Sequence, residues 1–234
     1  MPLRFTSHIP AALIGSLLCS SAFAGLITSS ASRVALAGND SVAWGVAADD
    51  GTLVSSPYAR LSTGGVGLSA STPGGTFGLF VQGGGGGYTA NFSAGEVVLD
   101  TFFNDGPISL LFSSAIRGIG FNIAADAGGA FNGMLDFYGV GNVLFGSVSI
   151  TDITTLAGDG SAAFLGGTSS LRDIVRVDIS VLTGSTQDLA INQLSLLTTD
   201  PGGGPLPEPA SLALVGLGLA GALLARRRTA RGMA

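Results

Sequence analysis

Glu96 and Asp100 are the carboxylates best spaced to work as a pair, because residues four apart on a strand leave the same face. Four residues of strand separate them by about 13 Å, however, and glycosidases hold their two carboxylates roughly 5 to 9.5 Å apart. Asp49 and Asp50 diverge on a strand and converge only in a loop, so they specify no chemistry. Asp126 ahead of Gly128 and Gly129, and Asp159 between Gly158 and Gly160, offer the hard oxygen donors that calcium takes. The same positions suit turn residues that tolerate left-handed backbone, and neither an EF-hand spacing nor a glycine-aspartate nonapeptide repeat accompanies them. Calcium is therefore the one candidate cofactor, and the residues assign it no ligand set. Trp44, Tyr58, Tyr88 and Tyr138 are the aromatics that could form a sugar-binding platform. Trp44 lies in an alternating Val42, Trp44, Val46 series, which predicts core packing, whereas Tyr88 beside the run Gly83 to Gly87 is expected at the surface.

Absent residue types exclude more than present ones suggest. All ten basic residues are Arg, His8 is the single histidine and Cys19 the single cysteine. Arg4, an apolar run from Ile9 to Leu18 and the small-x-small triplet Ala22-Phe23-Ala24 predict a signal peptide over residues 1–24, cut by signal peptidase after Ala24. A retained anchor fits less well because the run is short, and a lipoprotein at Cys19 would place Leu18 before the lipidated residue. Cleavage removes His8 and Cys19 and leaves a chain without His, Cys or Lys. That composition excludes a Ser-His-Asp triad, a cysteine nucleophile, a Schiff-base lysine, His-ligated zinc and any disulfide. The expectation is a protein that is not an enzyme. From Gly25 to Gly204, thirteen Asp and one Glu face five Arg, a net charge of −9, and such a surface repels phosphate backbones, which sets nucleic acid aside as a partner.

The elements that carry these residues read as short strands. Thirty-eight glycines and only 11% charged residues favour turns and strands over long helices. Alternation is clearest from Asp173 to Val181, which puts Val175, Val177, Ile179 and Val181 on one face. Period-two stretches also place Val97, Leu99 and Phe103 inward, then Ile108, Leu110 and Phe112, then Ile119, Phe121 and Ile123. Further strands follow at Met134 to Val140 and Val143 to Ile150. Between Asp188 and Leu197 the phase slips, with Leu189 and Ile191 on one face and Leu194 and Leu196 on the other, which predicts a bulge near Asn192-Gln193. At least seven strands separated by turn signals imply an all-β ectodomain over 25–200, an antiparallel two-sheet sandwich or jelly roll, with no helix longer than about three turns.

The C-terminus has a different grammar. A Gly/Pro linker over 201–206 precedes Pro207-Glu208-Pro209, then a run from Ala210 to Ala225 in which only Ser211 is polar, then Arg226, Arg227 and Arg228. The run is slightly short of the about 20 residues a helix needs to cross a bilayer unaided, so it suits a transient inner-membrane helix. The arginines beyond it hold that end in the cytoplasm and leave everything before it outside. Gly216, Gly218 and Gly221 spell a dinucleotide-binding fingerprint, but no strand precedes them and no βαβ unit surrounds them.

PLPEPASLALVGLGLAGALLARRR, Pro205 to Arg228, resembles the PEP-CTERM tail recognised by exosortases, with motif, helix and Arg cluster in order across 207–231. The resemblance implies an exosortase partner, transient anchoring in the inner membrane, and delivery to the cell surface or an extracellular matrix. The body has a looser likeness. Ser41-Val42-Ala43-Trp44-Gly45, Gln82 with its glycines, Asn91-Phe92-Ser93-Ala94-Gly95, Gly106-Pro107-Ile108, Phe164-Leu165-Gly166 and Ala190-Ile191-Asn192-Gln193-Leu194-Ser195 resemble a recurrent PEP-CTERM ectodomain that is itself similar to lectin-like sandwiches. Two roles follow: a structural or interaction protein outside the cell, or a carbohydrate-binding module for exopolysaccharide, with or without the assistance of calcium. Two or three coplanar rings on one sheet face would separate the second role from the first.

Overall fold

A computed structural model describes residues 24–102, 106–182 and 188–200. The signal-peptide residue Ala22, Phe103, the linker, Pro207-Glu208-Pro209, the apolar run and Arg226 to Arg228 lie outside the described residues. Among the described residues no helix is long and apolar enough to cross a membrane. The elements are β1 (Ile27–Ser29), α1 (Arg33–Leu36), β2 (Asp40–Val42), β3 (Thr52–Ser55), β4 (Tyr58–Leu61), β5 (Gly67–Ser71), β6 (Thr76–Val81), β7 (Val97–Asp100) and β8 (Ile108–Ile116). They continue with β9 (Gly118–Ala125), β10 (Gly129–Tyr138), β11 (Leu144–Thr154), β12 (Ala163–Ser169), β13 (Ile174–Leu182), β14 (Leu189–Ile191) and β15 (Leu194–Leu197).

All pairings are antiparallel and build two sheets. The smaller sheet runs β11-β10-β13-β8-β5-β4. The larger runs β1-β12-β9-β14-β7-β6-β3 and forks at β9, because β14 pairs with the end of β9 near Ala125 while β15 pairs with its start near Gly118 and carries β2. The chain passes between sheets at Arg117, the single residue between β8 and β9, whose N–H donates to Leu197 O while its carbonyl accepts from Ser169 N, at 2.7 Å each. The fold is the antiparallel two-sheet sandwich that the alternation predicts.

Apolar side chains from the two inner faces interlock in one core that includes Ile108, Leu110, Ile119, Phe121, Ile123, Leu135, Phe137, Val177 and Ile179. Each such side chain removed from water contributes about 1.5–3 kcal/mol. The inward placements of Leu99, Ile108, Leu110, Phe112, Ile119, Phe121 and Ile123 hold as the sequence predicts. Val97 is partly buried against the same core.

Two expected faces are corrected. On β13 the pairing with β8 shifts register between Ile174 and Arg176, so Ile174 is fully buried and Val175 only half-buried, while Val177, Ile179 and Val181 keep the expected face. Val46 leaves the Val42, Trp44 series and is 63% exposed, because β2 ends at Val42 and the chain turns into a short 3-10 helix at Ala47. The irregularity foreseen at Asn192-Gln193 separates β14 from β15, and by shifting the phase there it brings Leu189, Ile191, Leu194 and Leu196 all into the one core.

Candidate functional site

A loop over the larger sheet makes the most distinctive site. Residues 82–96, between β6 and β7, fold back over the outer face of β6, β7, β9 and β14 rather than reaching into solvent. Gly83 and Gly87 have φ of +70° and +77°, which only glycine adopts without strain, so the chain can reverse within a few residues. Gln82 anchors both limbs: its side-chain Oε1 accepts from Ala90 N at 2.9 Å and its backbone carbonyl from Gly95 N at 2.9 Å. Asn91 ties the loop to the end of β11 and the residue after it, its Nδ2 donating to Ile153 O at 2.9 Å and its Oδ1 accepting from Thr155 N at 2.6 Å. Asp50 accepts from Val81 N and Gly86 N, which holds its carboxyl below the usual carboxylate range.

Beneath the loop, Tyr88, Ala90 and Phe92 pack on Val98, Ala124, Ala162 and Ala190 as a second apolar cluster. The small side chains on the sheet leave room for the large ones from the loop. Tyr88 is therefore 8% exposed, not the surface residue that its glycine-rich neighbourhood suggests. Its ring stacks on Phe80 at 5.4 Å between centroids, and Phe80 stacks in turn on Phe102 at 6.1 Å.

Where this aromatic row meets the ends of β7 and β9, a cavity of about 260 Å³ opens, lined by Phe80, Tyr88, Asp100, Phe102, Asp126 and Leu156 among others. Asp100 is 4% exposed. Its Oδ1 accepts from Phe102 N at 2.6 Å, and its Oδ2 has no hydrogen-bond partner; the same is true of the Tyr88 hydroxyl. Burial pushes the Asp100 carboxyl up to about 7, with the neighbouring charges of Asp126 and Asp188 adding to the shift. Burial also raises Asp126, and the phenol of Tyr88 is driven well above its ordinary value, first by burial and then by Asp100 and Asp126. The site is an acidic recess with an aromatic wall.

The remaining candidates are placed as follows. Glu96 shares the outer face with Asp100, as the spacing predicts, but the two have separate partners: Glu96 accepts from Ser93 N at 2.8 Å and from Asn192 Nδ2 at 3.0 Å. Asp49 accepts from Val46 N at 2.7 Å. Asp159 accepts from Ser161 N and Ser161 Oγ, the geometry of a turn residue, and these bonds hold its carboxyl low. Among the described residues no three carboxylate, histidine or cysteine side chains converge to hold a metal ion. Trp44 is in the core, as expected, and its Nε1 donates to Asn192 O at 2.8 Å. The Tyr58 hydroxyl donates to Trp44 O at 2.7 Å, and the Arg176 guanidinium covers the Tyr138 ring at 3.8 Å. These four aromatics form no shared platform; the rings that do gather, Tyr88, Phe80 and Phe102, stack on one another.

Sequence reasoning missed Arg33. Its guanidinium donates to Ser195 Oγ and to Gln193 O at 3.1 Å, and reaches Asn122 and Asn192 at 3.4 Å. Asn192 Oδ1 accepts from Asn122 N at 2.8 Å. This network fills the fork of the larger sheet, and four of the short sequence words, those holding Trp44, Asn91, Phe164 and Asn192, converge around it and the loop. Their roles are structural.

The described domain is thus an antiparallel β-sandwich with one outer face roofed by its own glycine-rich loop. The chain beyond it carries a sorting signal: residues 205–228 match the family model of the PEP-CTERM protein-sorting motif. A motif of this kind marks a chain for export and for recognition by an exosortase. No curated protein matches the chain. Among solved structures, a DUF4465 family protein from Bacteroides caccae is similar at 10% identity, covering 73% of this chain and 99% of that one with a TM-score of 0.39.

Proposed function

We propose that this chain is an exported, exosortase-sorted protein of the cell surface or extracellular matrix, with a structural or interaction role and no catalytic activity. The match at residues 205–228 carries the reading, because it contains Pro207-Glu208-Pro209, the apolar run and the first arginines in their working order. Signal peptidase removes residues 1–24, the run 210–225 holds the chain transiently in the inner membrane, and Arg226, Arg227 and Arg228 fix its orientation. Exosortase then acts at Pro207-Glu208-Pro209, whose prolines disfavour helix, at the outer boundary. A sandwich built without disulfides supports the same role, since it folds alike on either side of a redox boundary.

Glu208→Ala tests the reading. The apolar run and arginines are untouched, so the variant inserts normally, yet it accumulates as tail-bearing protein in the membrane fraction while the parent is shorter and leaves it. Fractionation and intact-mass measurement in a host with its own exosortase read the outcome. Equal processing of the two proteins reduces the tail to a plain anchor.

A further inference from the structure

Among the described residues, two polar groups that line the recess under the glycine-rich loop find no partner. Asp100 Oδ2 and the Tyr88 hydroxyl are both buried, both line the recess and both lack a hydrogen-bond partner. A buried polar oxygen left in this state costs about 1–3 kcal/mol, which a donor entering the recess would offset. We propose that the recess is a binding site for a protonated amine carried on a small apolar or ring-shaped body.

Three features select that chemistry. The first is charge: Asp100 from the end of β7, Asp126 just after β9 and Asp188 just before β14 are all acidic, Tyr88 enters from the loop, and among the described residues no Arg lines the cavity. A cation entering there meets a negative potential strengthened by low dielectric surroundings. The second is hydrogen bonding. An ammonium supplies N–H donors for Asp100 Oδ2 and for the oxygen of Tyr88, which an apolar guest does not. The third is shape and polarity. A volume of about 260 Å³ walled by Phe80, Tyr88, Phe102 and Leu156 exceeds what a bare ion fills, and its aromatic rings favour an organic cation. A divalent metal fits less well, because no three acidic side chains among the described residues converge on one point. The inference does not rest on the sorting reading, and either can fail without the other.

The Asp100 carboxyl, raised to about 7, adds a signature. Its ionised form binds the ammonium, so affinity rises as pH passes upward through about 7, with Asp126 titrating in the same direction.

Calorimetric titration of the full chain in detergent and amine-free buffer tests the proposal with benzylamine, benzyl alcohol and calcium chloride. Benzylamine stays protonated throughout; benzyl alcohol has the same ring and a neutral head. Benzylamine is expected to bind at pH 8 at least about tenfold more tightly than benzyl alcohol, the difference that one charge-assisted hydrogen bond makes. Affinity should fall about tenfold between pH 8 and pH 6. Asp100→Asn should weaken binding by at least about tenfold, and Asp126→Asn, at a half-buried position that leaves the core intact, by a smaller factor of about threefold to fivefold. Should Asp100→Asn fail to fold, the Asp126 variant and the pH series carry the test. Equal affinity for the amine and the alcohol, no binding of either, unchanged binding in Asp126→Asn, or calcium binding that displaces benzylamine would each overturn the proposal.

Discussion

The two sheets share one core and part company on their outer faces. On the smaller sheet, β8 and β10 alternate between buried and exposed positions, so Leu111 and Met134 meet water while their neighbours Leu110 and Leu135 do not. On the larger sheet, β9, β14 and β15 are buried at almost every position because the loop 82–96, α1 and the segment before β12 lie over them. A sheet covered once must write its burial as a period of two; a sheet covered twice is freed from that rule, and beneath its second cover the Tyr88 hydroxyl and Asp100 Oδ2 are buried without a partner.

The comparison is easiest to break from the shared core. Phe121→Ala removes a ring that has 0% exposure and belongs to the core the two sheets share, and should cost about 3–5 kcal/mol in chemical denaturation, with both sheets lost in one transition. Separate transitions would mean that the sheets are independent units.

The roofed face should be recognisable by its pH dependence. The folded chain binds a proton at Asp100 more tightly than the unfolded chain does, since its carboxyl is raised to about 7 from an ordinary value near 4. The contribution of Asp100 to stability is therefore fully present below about pH 4, falls as pH rises towards about 7, and levels above it. The loss is on the order of 4 kcal/mol, and Asp100→Asn should flatten the profile. A profile that is level in the parent between pH 5 and pH 8 would show that water reaches the carboxylate.

Gly120 probes how closely the cover sits. A Cβ there would stand 2.2 Å from the Phe164 ring, so Gly120→Ala should cost about 1–3 kcal/mol through displacement of that ring and of the Arg33 guanidinium beside it, 5.9 Å from its centroid. Thermal unfolding measures it. Met134→Lys on the open sheet is the opposite case and should change stability by less than about 0.5 kcal/mol in the same assay.

The two-sheet architecture was legible because inward residues such as Ile108, Leu110, Phe121 and Val177 recur at every second position, and period two is a local property. Trp44 was legible for the same reason. The recess was not. Asp100 reads as a solvent-facing carboxylate on an alternating strand, and Tyr88 beside five glycines reads as a loop tip, because nothing near either residue in sequence announces the other. One signal was available: the outward positions Gly118, Gly120, Ala124 and Ala190 are small and apolar where a wet face would carry polar side chains, and that pattern calls for a second layer. The phase slip at Asn192-Gln193 was read correctly as a break, but only the fork at β9 explains why both sides of it face inward.

That fork also sets a timetable. The last two strands, β14 and β15, are not appended to an edge; they join β9 to β7 on one arm and β9 to β2 on the other. Until Leu189 to Leu197 arrive, β2 has no partner and β7, β6 and β3 are joined to nothing beyond themselves, so a nascent chain stopped short of these residues holds two unclosed seams. Closure spans the whole domain in sequence, the arrangement that makes folding slow and leaves strand edges bare while it waits. The domain therefore completes itself only once Leu189 to Leu197 have emerged, and the seams on both arms of the fork then close together.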